Sequence, residues 1–305
     1  MKKMLFVYNP NSGKMQINDN LSEIIQIFSA ADYEVTVYPT KAQMDGHNKI
    51  KGCDGVYDLI VCSGGDGTLN ETVAAVMEFK DLKPFIGYIP SGTTNDFAKS
   101  LGISANMLQA AKDIVEGEAR GCDIGMFNGR YYNYVAAFGA FTEVSYATPQ
   151  EYKNVLGHQA YLLEGLKSIP FIKPSHLVIE SNGETVEGDF IYGMVTNTMS
   201  VGGFKNIAGR NVKLDDGLFE CTFIRKFEAV SDFNKLLTAI LYKDAKNPNY
   251  YHVKTNHITI HSDEEIPWVL DGEFGGTHKD VEIHIIGNAV NILTPVKKQE
   301  ETEKN

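Results

Sequence analysis

Residues 58–71 read Asp-Leu-Ile-Val-Cys-Ser-Gly-Gly-Asp-Gly-Thr-Leu-Asn-Glu. Asp58 to Cys62 is apolar enough to be a strand buried on both faces, as the central strands of parallel sheets are. It breaks at Ser63-Gly64-Gly65-Asp66-Gly67-Thr68. Leu69, Val73, Val76 and Met77 then recur at helical spacing. The same strand–loop–helix order brackets this segment. Met4 to Tyr8 stops at Asn9-Pro10-Asn11-Ser12-Gly13, and Leu21, Ile24, Ile25 and Phe28 follow as a helix stripe. Val35 to Tyr38 is a further strand, and Phe85 to Ile89 another, closed by Pro90-Ser91-Gly92-Thr93-Thr94-Asn95-Asp96. A short helix follows, then one reaching about Glu116. The repetition predicts an α/β domain with a parallel sheet and helices on both faces. Its Gly-rich turns all fall at the carboxyl ends of strands, where such sheets bind ligands.

Beyond about residue 125 the texture changes. Strand-like runs cover Tyr131 to Ala137, His176 to Glu180, Phe190 to Thr196, Leu218 to Arg225, His257 to His261, Trp268 to Leu270, Val281 to Ile285 and Ala289 to Leu293. Two helices are expected among them, over Glu151 to Ser168 and Glu228 to Tyr242. Consecutive strands with few helices predict a mainly antiparallel β-sandwich. The expected domains are 1–125 and 126–296, followed by a charged tail, 297–305, with no further helix.

The net charge of −11 removes the basic footprint that nucleic-acid binding needs. Cys53, Cys62, Cys122 and Cys221 have neither CxxC nor zinc-ligand spacing, so they read as small apolar residues in a reducing compartment. The eight histidines, His158, His252 and His278 among them, show no metal-like spacing. No stretch approaches 18 apolar residues, so no spanning helix is expected, and the cytoplasm is the simplest location.

The turns carry the chemistry. In Gly64 to Glu71 the glycines let a phosphate approach the backbone, and the following helix start points N–H groups at an anion. Asp66 there can hold Mg²⁺ through water or orient a hydroxyl; a tight turn with an Asp cap is the plain alternative. Asn9 to Lys14 and Ser91 to Phe97 add donors at two other strand ends. Three such loops on one rim make a phosphate-binding cleft the better reading. GxxxxGK[ST], HRD, DFG and the dinucleotide GxGxxG are all absent, so P-loop, protein-kinase and Rossmann mechanics do not apply.

The set NPNSGK, SGGDGTLNE, IPSGTTNDFA, LDDGLFE and LDGE, spread from Asn9 to Pro295, resembles the soluble diacylglycerol kinase family of the NAD kinase-like superfamily. The resemblance implies a nucleotide site on the first domain. It assigns ATP contacts to Asn9, Pro10, Asn11, Ser12, Gly13, Thr40, Gly65, Asp66, Gly67, Thr68, Leu69, Asn70, Glu71 and Thr94, with Thr93 beside them. It also implies a structural Mg²⁺ held by the Asp216 carboxylate and by backbone carbonyls of Lys213 and Leu218. That set suits a cation that takes oxygen ligands and keeps waters. The proton-accepting base falls on Asp271 or Glu273, which would share a face if the backbone there is extended. Asp66 and Asp96 would complete an Asp–water–Mg²⁺ network.

The implied activity is transfer of the γ-phosphoryl of ATP to the hydroxyl of diacylglycerol or a related lipid, giving phosphatidate. Such an enzyme visits the inner membrane surface, with Phe204 or Phe141 as candidate contacts, and the family allows a homodimer. Another lipid-hydroxyl kinase and an NAD kinase are the enzymatic rivals; GTTNDF with LDDG and LDGE favours a lipid acceptor. A non-catalytic nucleotide sensor would be expected to lack the base, whereas both acidic residues are present. One segment departs from the family: Lys41 to Lys51 is polar and weakly helical where a Gly-containing stretch and an Ala-rich helix are usual.

Overall fold

The computed structural model describes residues 1–80, 82–139, 173–198, 200–201, 204–205, 212–226 and 249–296. The two expected helices over 151–168 and 228–242, Phe141, the side chain of Phe204 and the tail 297–305 lie outside the described residues. The chain divides into two compact units, residues 1–121 with 290–305, and residues 122–289.

The first unit alternates as its sequence does: β1 (Lys2–Tyr8), α1 (Ile17–Ala30), β2 (Tyr33–Pro39), α2 (Asp45–Lys51), β3 (Leu59–Gly64), α3 (Asp66–Met77), β4 (Phe85–Pro90), α4 (Asp96–Leu101) and α5 (Met107–Glu116). β5 (Glu118–Phe127) then leads into the second unit. β1 pairs in parallel with β2 and β3, and β3 with β4. Every residue of β3 is buried, as are Met4 to Val7 of β1, so both sheet faces are covered. The helices do this in packed pairs, α1 with α5 and α2 with α3. Phe28 of α1, for example, meets Phe6 edge-on at 5.9 Å. The polar segment after Thr40 is ordered: α2 is fastened by Asp45, which accepts from the Tyr38 hydroxyl (2.9 Å) and the Lys41 N–H (2.8 Å). Val290 to Thr294 group with this unit although sequence texture assigns residues up to 296 to the second; Ile292 pairs beside Ile86 of β4.

The second unit contains β6 (Arg130–Tyr132), β7 (Val135–Gly139), β8 (Ser175–Ser181), β9 (Glu184–Thr196), the short pair β10 (Ser200–Val201) and β11 (Phe204–Lys205), β12 (Phe219–Arg225), β13 (Tyr250–Thr255), β14 (His257–Leu270) and most of β15 (Glu273–Thr294). The pairs β5–β6, β7–β9, β7–β14, β8–β9, β8–β14, β9–β12, β12–β13 and β14–β15 are all antiparallel. The long strands β9 and β14 each pair with β8 along one half and β7 along the other. Strands that change partners in this way let one ladder fold over a common core, with bulges absorbing the bend. The core centres on Trp268, which contacts Phe127 (5.0 Å) and Phe138 (4.9 Å).

Candidate functional site

Three loops at the carboxyl ends of β1, β3 and β4 are tied together by backbone. The Asn9 N–H donates to Ser63 O (2.9 Å), and the Ser91 and Gly92 N–H groups donate to Gly64 O (2.9 and 3.1 Å). Gly13 has φ +54°, and a Cβ there would lie 2.3 Å from Ser91 O. A Cβ on Gly92 would lie 2.4 Å from the Gly65 Cα. These contacts require glycine: the backbones themselves touch, which brings the main-chain N–H groups of the three loops close together. Gly65 caps α3 without a side chain, so the helix offers its first turn to an external anion. The structure thus brings together Asn9 to Gly13, Gly65 to Thr68 and Ser91 to Thr94. Thr40 is placed beside them, its N–H on Tyr8 O (2.9 Å).

Several of the predicted residues have jobs inside the protein. Asn9 Oδ1 accepts from the Asn11 N–H, fixing the first loop. Asp66 accepts from the N–H groups of Asp96 (3.1 Å) and Phe97 (3.2 Å), capping α4 across the gap between two loops. Asp96 is buried, with Lys99 Nζ 3.4 Å from its carboxylate. The Leu69 side chain lies in the core and its N–H donates to Gly65 O, so its placement is that of a packing residue. Glu71 accepts from the Met44 N–H (2.8 Å), holding the segment before α2.

Two residues in this region were missed as organisers. Asn95, with φ 51°, accepts from Gly92 N–H and donates to Gly92 O. The Tyr88 hydroxyl bridges Gly64 O and Asn95 Oδ1, both at 3.3 Å. Burial, then the charges of Asp66, Cys62 and Asp96, raise its pKa well above the ordinary phenol value. It stays a neutral donor beneath the rim. Burial likewise pushes the Cys62 thiol up to about 12, so it is no nucleophile.

If these loops hold the nucleotide that the sequence motifs imply, Gly92→Ala should weaken ATP binding at least about tenfold, because the methyl must separate two touching backbones. Calorimetric titration with ATP checks this; unchanged affinity would remove the loop from the site.

In the second unit Asp271 and Gly272 both have positive φ (50° and 88°), and Leu270 pairs with Glu273 across them. The backbone there is a tight hairpin turn and not extended, so the expectation that Asp271 and Glu273 share a strand face does not hold. Their environments are opposite. Asp271 is buried, and its carboxylate accepts from three successive N–H groups, Asn133 (2.6 Å), Tyr134 (3.0 Å) and Val135 (3.0 Å). Glu273 is exposed. The same clamp explains why the run Tyr131 to Ala137 is two strands: the N–H groups between β6 and β7 go to a side chain and not to a neighbouring strand.

The loop bearing Lys213, Asp216 and Leu218 is pinned from beneath by Asp123, which the sequence reading missed. Asp123 is fully buried. It accepts from the Gly217 and Asn288 N–H groups, both at 2.7 Å, and its own N–H donates to Leu214 O. A lone acid in the apolar run Cys-Asp-Ile-Gly was the available signal. Asp216 is exposed; one of its oxygens accepts from the Leu218 N–H (3.2 Å). Among the described residues no three His, Cys, Asp or Glu side chains cluster for a metal. An exposed carboxylate in a pinned loop is chemically suited to an oxygen-ligated, partly hydrated Mg²⁺.

A parallel β/α unit with glycine loops at its strand ends, followed by an antiparallel β unit, is an NAD kinase-like architecture. Residues 3–127 match the diacylglycerol kinase catalytic domain, and residues 136–294 the YegS C-terminal NAD kinase beta sandwich-like domain. The diacylglycerol kinase of Bacillus subtilis (strain 168) is 34% identical over 99% of this chain and 100% of its own. That of Staphylococcus aureus (strain MRSA252) is 34% identical, covering 90% of this chain and 87% of its own. The chain belongs to the diacylglycerol kinase family. A diacylglycerol kinase crystal structure from Bacillus anthracis str. Sterne shares the fold, with TM-score 0.77 and 24% identity over 96% of this chain and 97% of that one. An NAD kinase from Archaeoglobus fulgidus in complex with ATP shares it more distantly, with TM-score 0.53 and 14% identity over 98% and 94%.

Proposed function

We propose that this protein is an ATP-dependent lipid kinase that phosphorylates the hydroxyl of diacylglycerol or a closely related lipid. The observation that carries the reading is the backbone convergence of three glycine loops, in a chain that also has an exposed glutamate on a rigid turn. The loops bind the triphosphate through main-chain N–H groups. The acceptor oxygen attacks the γ-phosphorus: a new O–P bond forms, the bond to the bridging β,γ-oxygen breaks, and ADP leaves. The hydroxyl proton passes to Glu273, which is exposed, whereas Asp271 is buried under three backbone N–H groups.

Mg²⁺, when bound, neutralises charge, and Asp216 with the carbonyls of Lys213 and Leu218 would hold a structural ion. Asp66 acts by fixing the loop before α4 through the Asp96 and Phe97 N–H groups. Among the described residues no helix is long and apolar enough to cross a membrane. The acceptor's tails remain in the bilayer, so the protein meets its substrate at a membrane surface.

The test is transfer of label from γ-labelled ATP with Mg²⁺ to diacylglycerol in mixed micelles, with NAD⁺ and a sphingoid base in parallel. Labelled phosphatidate is expected. Label on NAD⁺ alone would overturn the lipid assignment, and no label on any acceptor would overturn the kinase assignment.

A further inference from the structure

Eight described residues other than glycine have positive φ, and six of them are Asn or Asp, the side chains that tolerate this region best. The two exceptions are Met15 (φ 58°) and Met44 (φ 64°). Both follow strands at the same end of the parallel sheet, Met15 after β1 and Met44 after β2. Met15 closes its own loop: its N–H donates to Ser12 O, and its carbonyl accepts from the Asn18 N–H. Met44 is fixed from two directions. Its N–H donates to Glu71 of α3 (2.8 Å), and its carbonyl accepts from the Asn48 N–H of α2 (3.0 Å). The chain beside it is closely fitted. A Cβ on Gly46 would lie 3.2 Å from the same Glu71 carboxylate and 3.5 Å from Thr40 Cγ2. Thr40 is itself tied to Tyr8 O, directly before the Asn9 loop. Met44 therefore stands between Thr40 and the helix that follows Gly65.

Local preference argues against methionine at this position. It caps α2 with no side-chain hydrogen bond, where Asn, Asp or Ser would supply one. Left-handed backbone also suits Asn or Gly better than Met. Burial does not offset this, because Met44 is 45% exposed. Residues that break local rules and are held rigidly in strained backbone cluster at ligand sites. A nucleoside triphosphate whose phosphates lie on the glycine loops carries a flat aromatic base beyond them. Thioethers make favourable contacts with aromatic rings. We propose that Met44 is a specificity-determining residue whose side chain packs on the base of the bound nucleoside triphosphate. This rests on the ATP-dependent reading, which supplies the ligand.

The test is calorimetric titration with ATP and with tripolyphosphate, which has no base, both with Mg²⁺. Wild type, Met44→Asn and Met44→Leu are compared, with thermal unfolding in parallel. Met44→Asn is expected to weaken ATP about three- to tenfold and to leave tripolyphosphate unchanged. Met44→Leu, apolar and of similar volume, should bind ATP within about twofold of wild type. The melting temperature of ligand-free Met44→Asn should not fall, since asparagine suits both the cap and the left-handed backbone. A merely structural methionine would give the opposite pattern: a lower melting temperature, with both ligands weakened alike. That pattern, or an ATP-to-tripolyphosphate ratio that Met44→Asn leaves unmoved, would overturn the assignment. If wild type binds neither ligand, the nucleotide reading itself falls; if it binds both with a ratio insensitive to residue 44, only this assignment falls.

Discussion

Replacing Glu273 with glutamine is expected to lower kcat for lipid phosphorylation by about 10²–10⁴-fold, the usual contribution of a positioned general base. ATP affinity and thermal stability should be unaffected. Glu273 is exposed, and it follows a turn whose geometry is set by Asp271 and Gly272. The substitution keeps shape and hydrogen-bonding capacity but removes the proton acceptor. Glu273→Asp keeps the acceptor and withdraws it by one methylene, so a smaller loss, about 10²-fold, is expected from misplacement alone. Single-turnover transfer with ATP binding measured in parallel decides the matter. A Glu273→Gln protein that transfers phosphate at the wild-type rate would exclude this carboxylate as base.

The first unit was legible because its signals are local. Apolar runs of strand length ended at glycine turns, and helix stripes followed them. The places where reading failed have physical causes. β14 is one strand from His257 to Leu270 although Ser262 to Glu265 are polar and Pro267 interrupts the pattern. A bulge between His261 and Ile266 takes up that stretch, so ladder pairing resumes beyond it. In β15, Gly287-Asn288 imitates a hairpin turn. Asn288 does have φ 48°, but its N–H is held by the distant Asp123, and the strand continues. β5 was missed because Gly121 and Gly125 dilute its β propensity; a Cβ on Gly125 would fall on the Tyr132 ring at 2.3 Å, so glycine is a packing choice there. β13, Tyr250 to Thr255, lies at the end of the strand order, and its partial burial on both sides hides the alternation.

The candidate site was legible as a set of motifs but not as a division of labour. Motif spacing put Asp66, Asp96, Asp271 and Glu273 in one class, as acids near chemistry. Burial separates them. The Asp66 and Asp271 carboxylates accept backbone N–H groups and organise loops, Asp96 is buried beside Lys99, and Glu273 alone of the four is exposed. Asp123 was passed over because its partners, Gly217 and Asn288, lie far along the chain, and no local pattern announces a long-range hydrogen bond.

Asp271→Asn is expected to destabilise the protein by about 3 kcal/mol and to lower its melting temperature by roughly 6–10 °C. Asparagine tolerates positive φ nearly as well as aspartate, so the backbone conformation itself is not the issue. The loss comes from the acceptor. Asp271 Oδ2 receives the Asn133 N–H at 2.6 Å and Oδ1 receives two more, all in a buried setting. A carboxamide has one acceptor oxygen. Whichever way it turns, an NH₂ faces a backbone N–H and at least one buried donor goes unpaired. Charge-assisted bonds are also about twice as strong as neutral ones, so those that survive are weakened. Because the clamp fixes both Asn133 and the turn before Glu273, activity should fall together with stability, unlike in Glu273→Gln. The two variants therefore form a crossed test: activity lost at constant melting temperature identifies the base, and the two lost together identify the clamp. If Asp271→Asn instead melted like wild type and abolished transfer, the roles would have to be exchanged, and Asp271 would be the residue that takes the proton.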